Sequence, residues 1–174
     1  MKKVKKFTVS IYTENNLGLL NRISAIFLKR HLSIDSINSS PCEIEDIFRF
    51  VIVLKTEEEL IKKVITQLEK QVEVIAAYYH TDVETIFQES ALYKVKTEAL
   101  FQKKKVHTII KNSHASIVMV SPEYFVIEKT GKREETEKLY TDLAPFGILQ
   151  FVRSGRISVT KEPMRITEIL EKNI

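Results

Sequence analysis

Apolar and polar residues alternate over 7–12, the period of a strand with one buried face. The period then changes. Leu19, Leu20, Ile23, Ile26 and Phe27 fall at helical spacing and predict a helix. Residues 33–40 alternate weakly and predict a second strand, with 41–46 as the connection. Residues 48–54 predict a third strand, apolar on both sides except at Arg49, so both of its faces should be covered. Thr56 with Glu59 matches a capping box, and Leu60, Ile61, Val64, Ile65 and Leu68 mark the apolar face of a second helix. Residues 72–78 close the unit as a fourth strand.

This order is β-α-β-β-α-β over about 75 residues, the split βαβ or ferredoxin-like arrangement. Right-handed crossovers put both helices on one face of the sheet. The other face is left open, and another copy of the sheet is the economical cover. The order then repeats. Residues 91–97 alternate as a strand, and Leu100, Phe101, Val106, Ile109 and Ile110 suggest a helix. Residues 115–120 read as a short buried strand and 124–129 as its hairpin partner, with Gly131 breaking that strand. Thr136, Leu139, Tyr140 and Leu143 form a helical stripe, and 148–160 a final strand. The tail, 161–174, is polar with room for a short helix. The reading is an α+β chain of tandem ferredoxin-like βαββαβ units: a first domain over 1–80, a linker over 81–90 without regular periodicity, and a second domain over 91–174.

Composition narrows the function classes. A length of 174 residues with 44% hydrophobic content supports packed cores without disulfides. Cys42 is the single cysteine, which excludes an intramolecular disulfide and a cysteine-cluster zinc site. No apolar run approaches the ~20 residues that span a bilayer, and no secretory segment opens the chain, so a soluble cytoplasmic protein without membrane association is expected. The net charge is +4, concentrated in Lys2, Lys3, Lys5 and Lys6 and in Lys103, Lys104 and Lys105. Solvated surface explains it more simply than a nucleic-acid footprint.

Catalytic chemistry is missing. His31, His80, His107 and His114 show no metal-ligand spacing, and Cys42 has no base beside it. Gly131 and Lys132 follow a strand without the glycine-rich loop of a phosphate-binding lysine, and no paired-glycine dinucleotide fingerprint exists. Glu57, Glu58 and Glu59 read as a helix start. Phe48 and Phe50 share a strand face, as the stacking aromatics of an RNA-recognition module would. Ile52 and Leu54 continue that face, and the basic-Gly-aromatic signature is absent, so packing is expected there and no nucleic-acid partner.

The stretch between the first strand and the first helix, Thr13, Glu14, Asn15, Asn16, Leu17, Gly18, Leu19 and Leu20, is the candidate binding element. Asn15 or Asn16 can cap the helix, Gly18 lets another molecule approach the backbone, and free N–H groups at a helix start suit a carboxylate. An ordinary capped turn accounts for the same residues.

With this stretch the first half resembles an ACT domain, the amino-acid-sensing ferredoxin-like module. The whole chain, from Phe7 to about Lys161, resembles the small regulatory subunits of acetolactate synthase, also called acetohydroxyacid synthase. The likeness is carried by 14–20, Arg22, Ile23 and Phe27, by 30–37 and by 67–72. In the second half 91–96, 129–131, 146–148 and 152–155 carry it. The resemblance implies a subunit with no active site and no cofactor of its own. It implies a large catalytic subunit holding thiamine diphosphate, Mg2+ and FAD, which this chain activates and subjects to feedback inhibition, usually by valine, in branched-chain amino-acid synthesis. It implies a homodimer or higher assembly, with valine between two ACT units of a dimer. The ligand would meet Asn15, Asn16, Leu17, Gly18, Leu19 and Leu20 of one chain and Ser33 and Ile34 of the other. Where the family commonly has Asn, this chain has Ser33, one hydroxyl in place of an amide. The second half is implied to contact the catalytic subunit. A stand-alone tandem-ACT sensor acting on another enzyme or on transcription is the alternative.

Overall fold

The protein is described by a computed structural model that covers residues 3–102 and 104–171. Lys2, Lys103 and the last three residues of the tail lie outside the described residues. The chain forms two compact units, one of residues up to Phe87 together with those from Arg156 onward, the other of Gln88–Gly155.

The first unit runs β1 (Lys5–Glu14), α1 (Leu19–Leu28), β2 (Ile34–Pro41), β3 (Ile47–Thr56), α2 (Glu58–Leu68) and β4 (Val74–Thr81). Its sheet has the order β2-β3-β1-β4 with antiparallel neighbours, as the ferredoxin-like reading expects. Phe7, Val9 and Ile11 of β1 and Phe50, Ile52 and Leu54 of β3 pack against Ile23, Ile26 and Phe27 of α1 and Ile61, Val64 and Leu68 of α2. Phe48 packs against the same core, so the aromatics of β3 face the helices and offer no stacking platform.

The second face of this sheet is not open. Residues from Arg156 onward return to it as β9 (Ile157–Thr160) and α6 (Ile166–Glu171). Leu170 is fully buried among Tyr12, Ile47 and Ala76, with Ile166 against the same cluster. Burying one leucine this completely contributes about 1.5–3 kcal/mol. Arg156 is 2% exposed; its Nη1 donates to Asp82 Oδ1 at 2.6 Å and to Thr8 Oγ1 at 2.8 Å, and its guanidinium lies 3.6 Å from the Phe87 ring centroid. Arg49 Nη2 donates to the Ser158 carbonyl at 2.6 Å, and Lys161 N to that of Glu84 at 2.8 Å. The expected cover was a second copy of the sheet; the observed cover is the chain's own C-terminal strap. Arg49, the one polar residue of β3 before Lys55, is where the strap crosses.

The second unit repeats the order. β5 (Thr85–Lys96) is followed by α3 (Glu98–Gln102), α4 (Lys104–Asn112), β6 (Ser116–Val120), β7 (Tyr124–Gly131), α5 (Arg133–Leu143) and β8 (Ile148–Arg153). The strand order is β6-β7-β5-β8. Tyr93, Val95, Phe125 and Ile127 pack against Val106, Ile110, Leu139 and Leu143. The Tyr93 hydroxyl donates to the Thr136 carbonyl at 2.7 Å, and burial pushes its pKa up to about 12.

Both units end a helix in the same way. His31 N bonds to the Leu28 carbonyl and Leu32 N to that of Phe27; His114 N bonds to that of Lys111 and Ala115 N to that of Ile110. These are Schellman turns with histidine in the left-handed position, at φ 54° and 52°. The role of these two histidines is conformational.

Other expectations are corrected. Residues 81–90 are no linker: Thr81 N donates to the Glu84 carboxylate at 2.7 Å in a turn, and β5 begins at Thr85. Residues 156–171 belong with the first unit, not the second. Thr56 extends β3 opposite Lys5 in place of capping α2, whose N-cap residue is Glu57. The strand expected to be buried, β6, is exposed throughout because it is the sheet's edge. Phe101 is exposed and leaves the core to Val106 and Ile110. Gly131 ends β7 without breaking it; a Cβ there would sit 2.7 Å from the Glu135 carboxylate, which accepts from Lys132 N at the start of α5.

Candidate functional site

The turn between β1 and α1 is held from two sides. Asn15 N donates to the Asp46 carbonyl at 2.9 Å, at the entry to β3. Glu14 N donates to the Glu73 carbonyl at 3.0 Å, and the Glu73 side chain pairs with Arg22 of α1. Between these ties Asn15, Asn16, Leu17 and Gly18 are exposed, Leu17 at 98%. Neither Asn15 nor Asn16 caps the helix by its side chain. The N-cap residue is Gly18, at φ 78° and ψ 1°, and its carbonyl accepts from Asn21 N and Arg22 N. A left-handed N-cap is natural to glycine and strained for most other residues. A Cβ built on Gly18 meets nothing within 4 Å, so open space lies before the loop. Among the described residues, the Leu17 and Gly18 N–H groups meet no acceptor. With the start of α1 they present the partial positive charge that attracts a carboxylate.

The remaining candidates divide. Leu19 is buried in the core, so only its backbone belongs to the loop, while Leu20 is half-exposed beside it. Ser33 is exposed just ahead of β2, and Ile34, paired with Leu54, packs against the core. The loop and Ser33 are not brought together within one chain. They lie at opposite ends of α1, whose ten residues span about 15 Å. They also lie at opposite ends of the sheet, since Glu14 pairs with Ile47 and Pro41 with Phe48, leaving Ser33 at the far end of β2.

Two features of this region escaped the sequence. Thr13 is fully buried beneath the loop, its Oγ1 without a hydrogen-bond partner, where β1 shifts register against β4. Nothing in the residue pattern marks that orphan hydroxyl. Asp46, at φ 61°, supplies the carbonyl that fixes Asn15, and an aspartate in the left-handed region is the one legible hint.

Cys42 is half-buried. Burial, then its hydrogen bond to Glu43, raises the thiol pKa, the opposite of an activated nucleophile. Among the described residues, no group of three His, Cys, Asp or Glu side chains could hold a metal ion, and no helix is long and apolar enough to cross a membrane.

Two family models match the chain: "AHAS small subunit-like ACT domain" over residues 9–76 and "Small subunit of acetolactate synthase" over 88–162. The acetolactate synthase small subunit of Mycobacterium bovis is 32% identical over 162 residues, covering 93% of this chain and 96% of its own. That of Bacillus subtilis is 33% identical over 151 residues, covering 86% and 87%. The crystal structure of the small subunit from Thermotoga maritima superimposes with a TM-score of 0.82 at 24% identity, covering 92% of this chain and 99% of that one.

Proposed function

From the premise that this chain belongs to the acetolactate synthase small-subunit family, we propose that it regulates a separate catalytic subunit and makes no acetolactate itself. The catalytic subunit carries thiamine diphosphate, Mg2+ and FAD and does the chemistry. This chain raises that subunit's activity and lowers it again when a branched-chain amino acid, valine first, occupies the loop after β1.

One observation carries the effector assignment: the loop and Ser33 sit at opposite ends of an edge strand. β2 has β3 on one side and no strand on the other. A two-fold axis pairing β2 with β2 antiparallel brings the start of one copy's strand to the end of the other's. Ser33 of each copy then approaches the loop of the other, which supports a homodimer with two composite sites. The free N–H groups and the space before Gly18 suit the carboxylate of such a ligand.

The second unit is our assignment for contact with the catalytic subunit. Its edge strand β6 exposes Ile117, Val118, Met119 and Val120, and a bare apolar edge is a surface that chains otherwise protect.

Reconstitution tests the reading. The purified chain should form no acetolactate alone, should raise the rate of the catalytic subunit, and should make that rate fall with added valine. Acetolactate formed by the chain alone, or a catalytic rate indifferent to it, refutes the proposal.

A further inference from the structure

Beneath the strap lies a cavity of about 480 Å³, bounded by residues of the first unit alone. It is separate from the loop after β1, because it opens on the opposite face of the sheet. Its floor is a polar patch set by strand register. Tyr12 of β1 pairs with Arg49 of β3, and Tyr78 and His80 of β4 continue the same face. Its roof is the strap, which adds Met164 and Ile166.

We propose that this cavity is a second ligand site, for a small carboxylate with a short apolar body. Arg49 is the first reason. It is half-buried between Phe48 and Phe50, with Tyr12 and Ser40 opposite it on the adjacent strands, and a guanidinium in such a place needs partners. Among the described residues it donates to one backbone carbonyl, that of Ser158, and no carboxylate lies within ion-pair distance. A guanidinium has five N–H donors in a planar fork that fits a carboxylate. The Tyr12 phenol is the second reason. It is 5% exposed, lines the cavity, and has no hydrogen bond among the described residues. Two phenols and an imidazole therefore stand beside a cation that has no direct carboxylate partner, although its charge also acts on Glu43. Three acids line the cavity: Glu43 accepts from the Cys42 thiol at 2.9 Å and from Thr167 Oγ1 at 3.5 Å, Glu168 pairs with Arg165 at 2.7 Å, and Glu162 lies on the strap. The volume falls within the range of ligand pockets, about 300–1,000 Å³. Met164 and Ile166 give the apolar end of the ligand a surface, so occupancy would also hold the strap closed.

The shared chemistry belongs equally to an organic acid and to an amino acid, and three probes separate them: isobutyrate, valine and isobutylamine. Each is titrated into the full-length chain while side-chain NMR signals of Arg49 and the tyrosine rings are followed. Isobutyrate should saturate these signals and isobutylamine should not. Valine reaching the same signals names an amino acid as the occupant; valine failing where isobutyrate succeeds names an acid without an amine. Either result upholds the site. Arg49→Met should weaken isobutyrate binding about tenfold or more, the loss expected for a charged hydrogen bond. Because that variant also loses the Ser158 contact, Tyr78→Phe is the second, gentler variant and should weaken binding several-fold with the strap intact. Gly18→Asp should leave isobutyrate binding unchanged, which separates this site from the loop. Absence of saturable isobutyrate binding in the millimolar range, or equal binding by Arg49→Met, overturns the proposal.

Discussion

Replacing Arg156 by methionine isolates what fastens the C-terminal strap. The side chain is 2% exposed, but its partner Asp82 is 41% exposed. When the guanidinium is removed, Asp82 rehydrates, so this pair contributes only about 1 kcal/mol. Thr8 is different. It is buried, and losing its donor strands a hydroxyl at about 1 kcal/mol, the low end for such a group. The cation–π contact with Phe87 contributes about 1 kcal/mol more. Against this, Arg156 Nε is itself buried without a partner, and methionine removes that defect, returning about 1 kcal/mol. The net cost is about 2 kcal/mol, carried by local opening of the strap. Amide exchange reads it directly. The Lys161 N–H, bonded to the Glu84 carbonyl, should exchange about thirtyfold faster in Arg156→Met. Asp82→Asn keeps an acceptor oxygen and should change exchange by less than about threefold. If Asp82→Asn opens the strap as much as Arg156→Met, the ion pair and not the buried contacts fastens it, and this reasoning fails.

Gly18→Asp should abolish valine inhibition while sparing activation: it places a carboxylate in the space where the effector's own would sit, and the catalytic contact is assigned elsewhere. Full valine sensitivity in the reconstituted mutant would remove the loop from the site. Ser33→Asn should tighten valine inhibition by several-fold to about tenfold, the value of one hydrogen bond, with activation in the absence of valine unaltered. No change there would mean that Ser33 does not face the ligand. The chain should sediment as a dimer whose dissociation is suppressed by valine, since a ligand bridging two copies favours the associated state. A monomer at micromolar concentration with undiminished valine affinity would contradict the composite site.

Local pattern carried most of the first unit. Most apolar positions of β1, α1 and α2 are periodic and point into one core, with Leu20 and Leu28 left exposed, so propensity and burial largely agree. Thr56 and Glu59 show where local signals compete. The pair satisfies a capping rule, yet Thr56 also continues a ten-residue strand, and the ladder to Lys5 prevailed. The apolar run of β6 reads alike for a buried strand and for an edge strand, because edge position is set by sheet order and not by the residues themselves. The strap was illegible for a plainer reason. Ile166 and Leu170 stand four apart, enough to suggest a short helix, but Arg156 meets Thr8 across 148 residues of sequence. No periodicity encodes a contact that distant. Arg49 was the available clue, since a charge in an otherwise apolar strand asks for a specific cover. Ser33 and the loop show a further limit: their spacing in one chain is uninformative if the site is completed by a second.

The strap also narrows how copies of this chain can associate. While β9 and α6 lie across the second face of the first sheet, that face cannot accept another sheet. The helices occupy the first face, leaving the edges. β4 follows directly into the turn at Thr81 and Glu84, whereas β2 exposes a full strand of unpaired backbone, with Ile37 outward and Leu20 and Leu28 of α1 exposed nearby. Pairing through β2, as proposed, would therefore meet two requirements at once: it would cover an unprotected edge, and it would bring Ser33 to the neighbouring loop. Association by stacked sheet faces would meet neither and would first have to displace Leu170 from its site. Releasing the strap should therefore leave the β2-paired dimer intact, so Arg156→Met should retain both its oligomeric state and its response to valine. Loss of the dimer in that variant would put the strap, and not the β2 edge, at the interface.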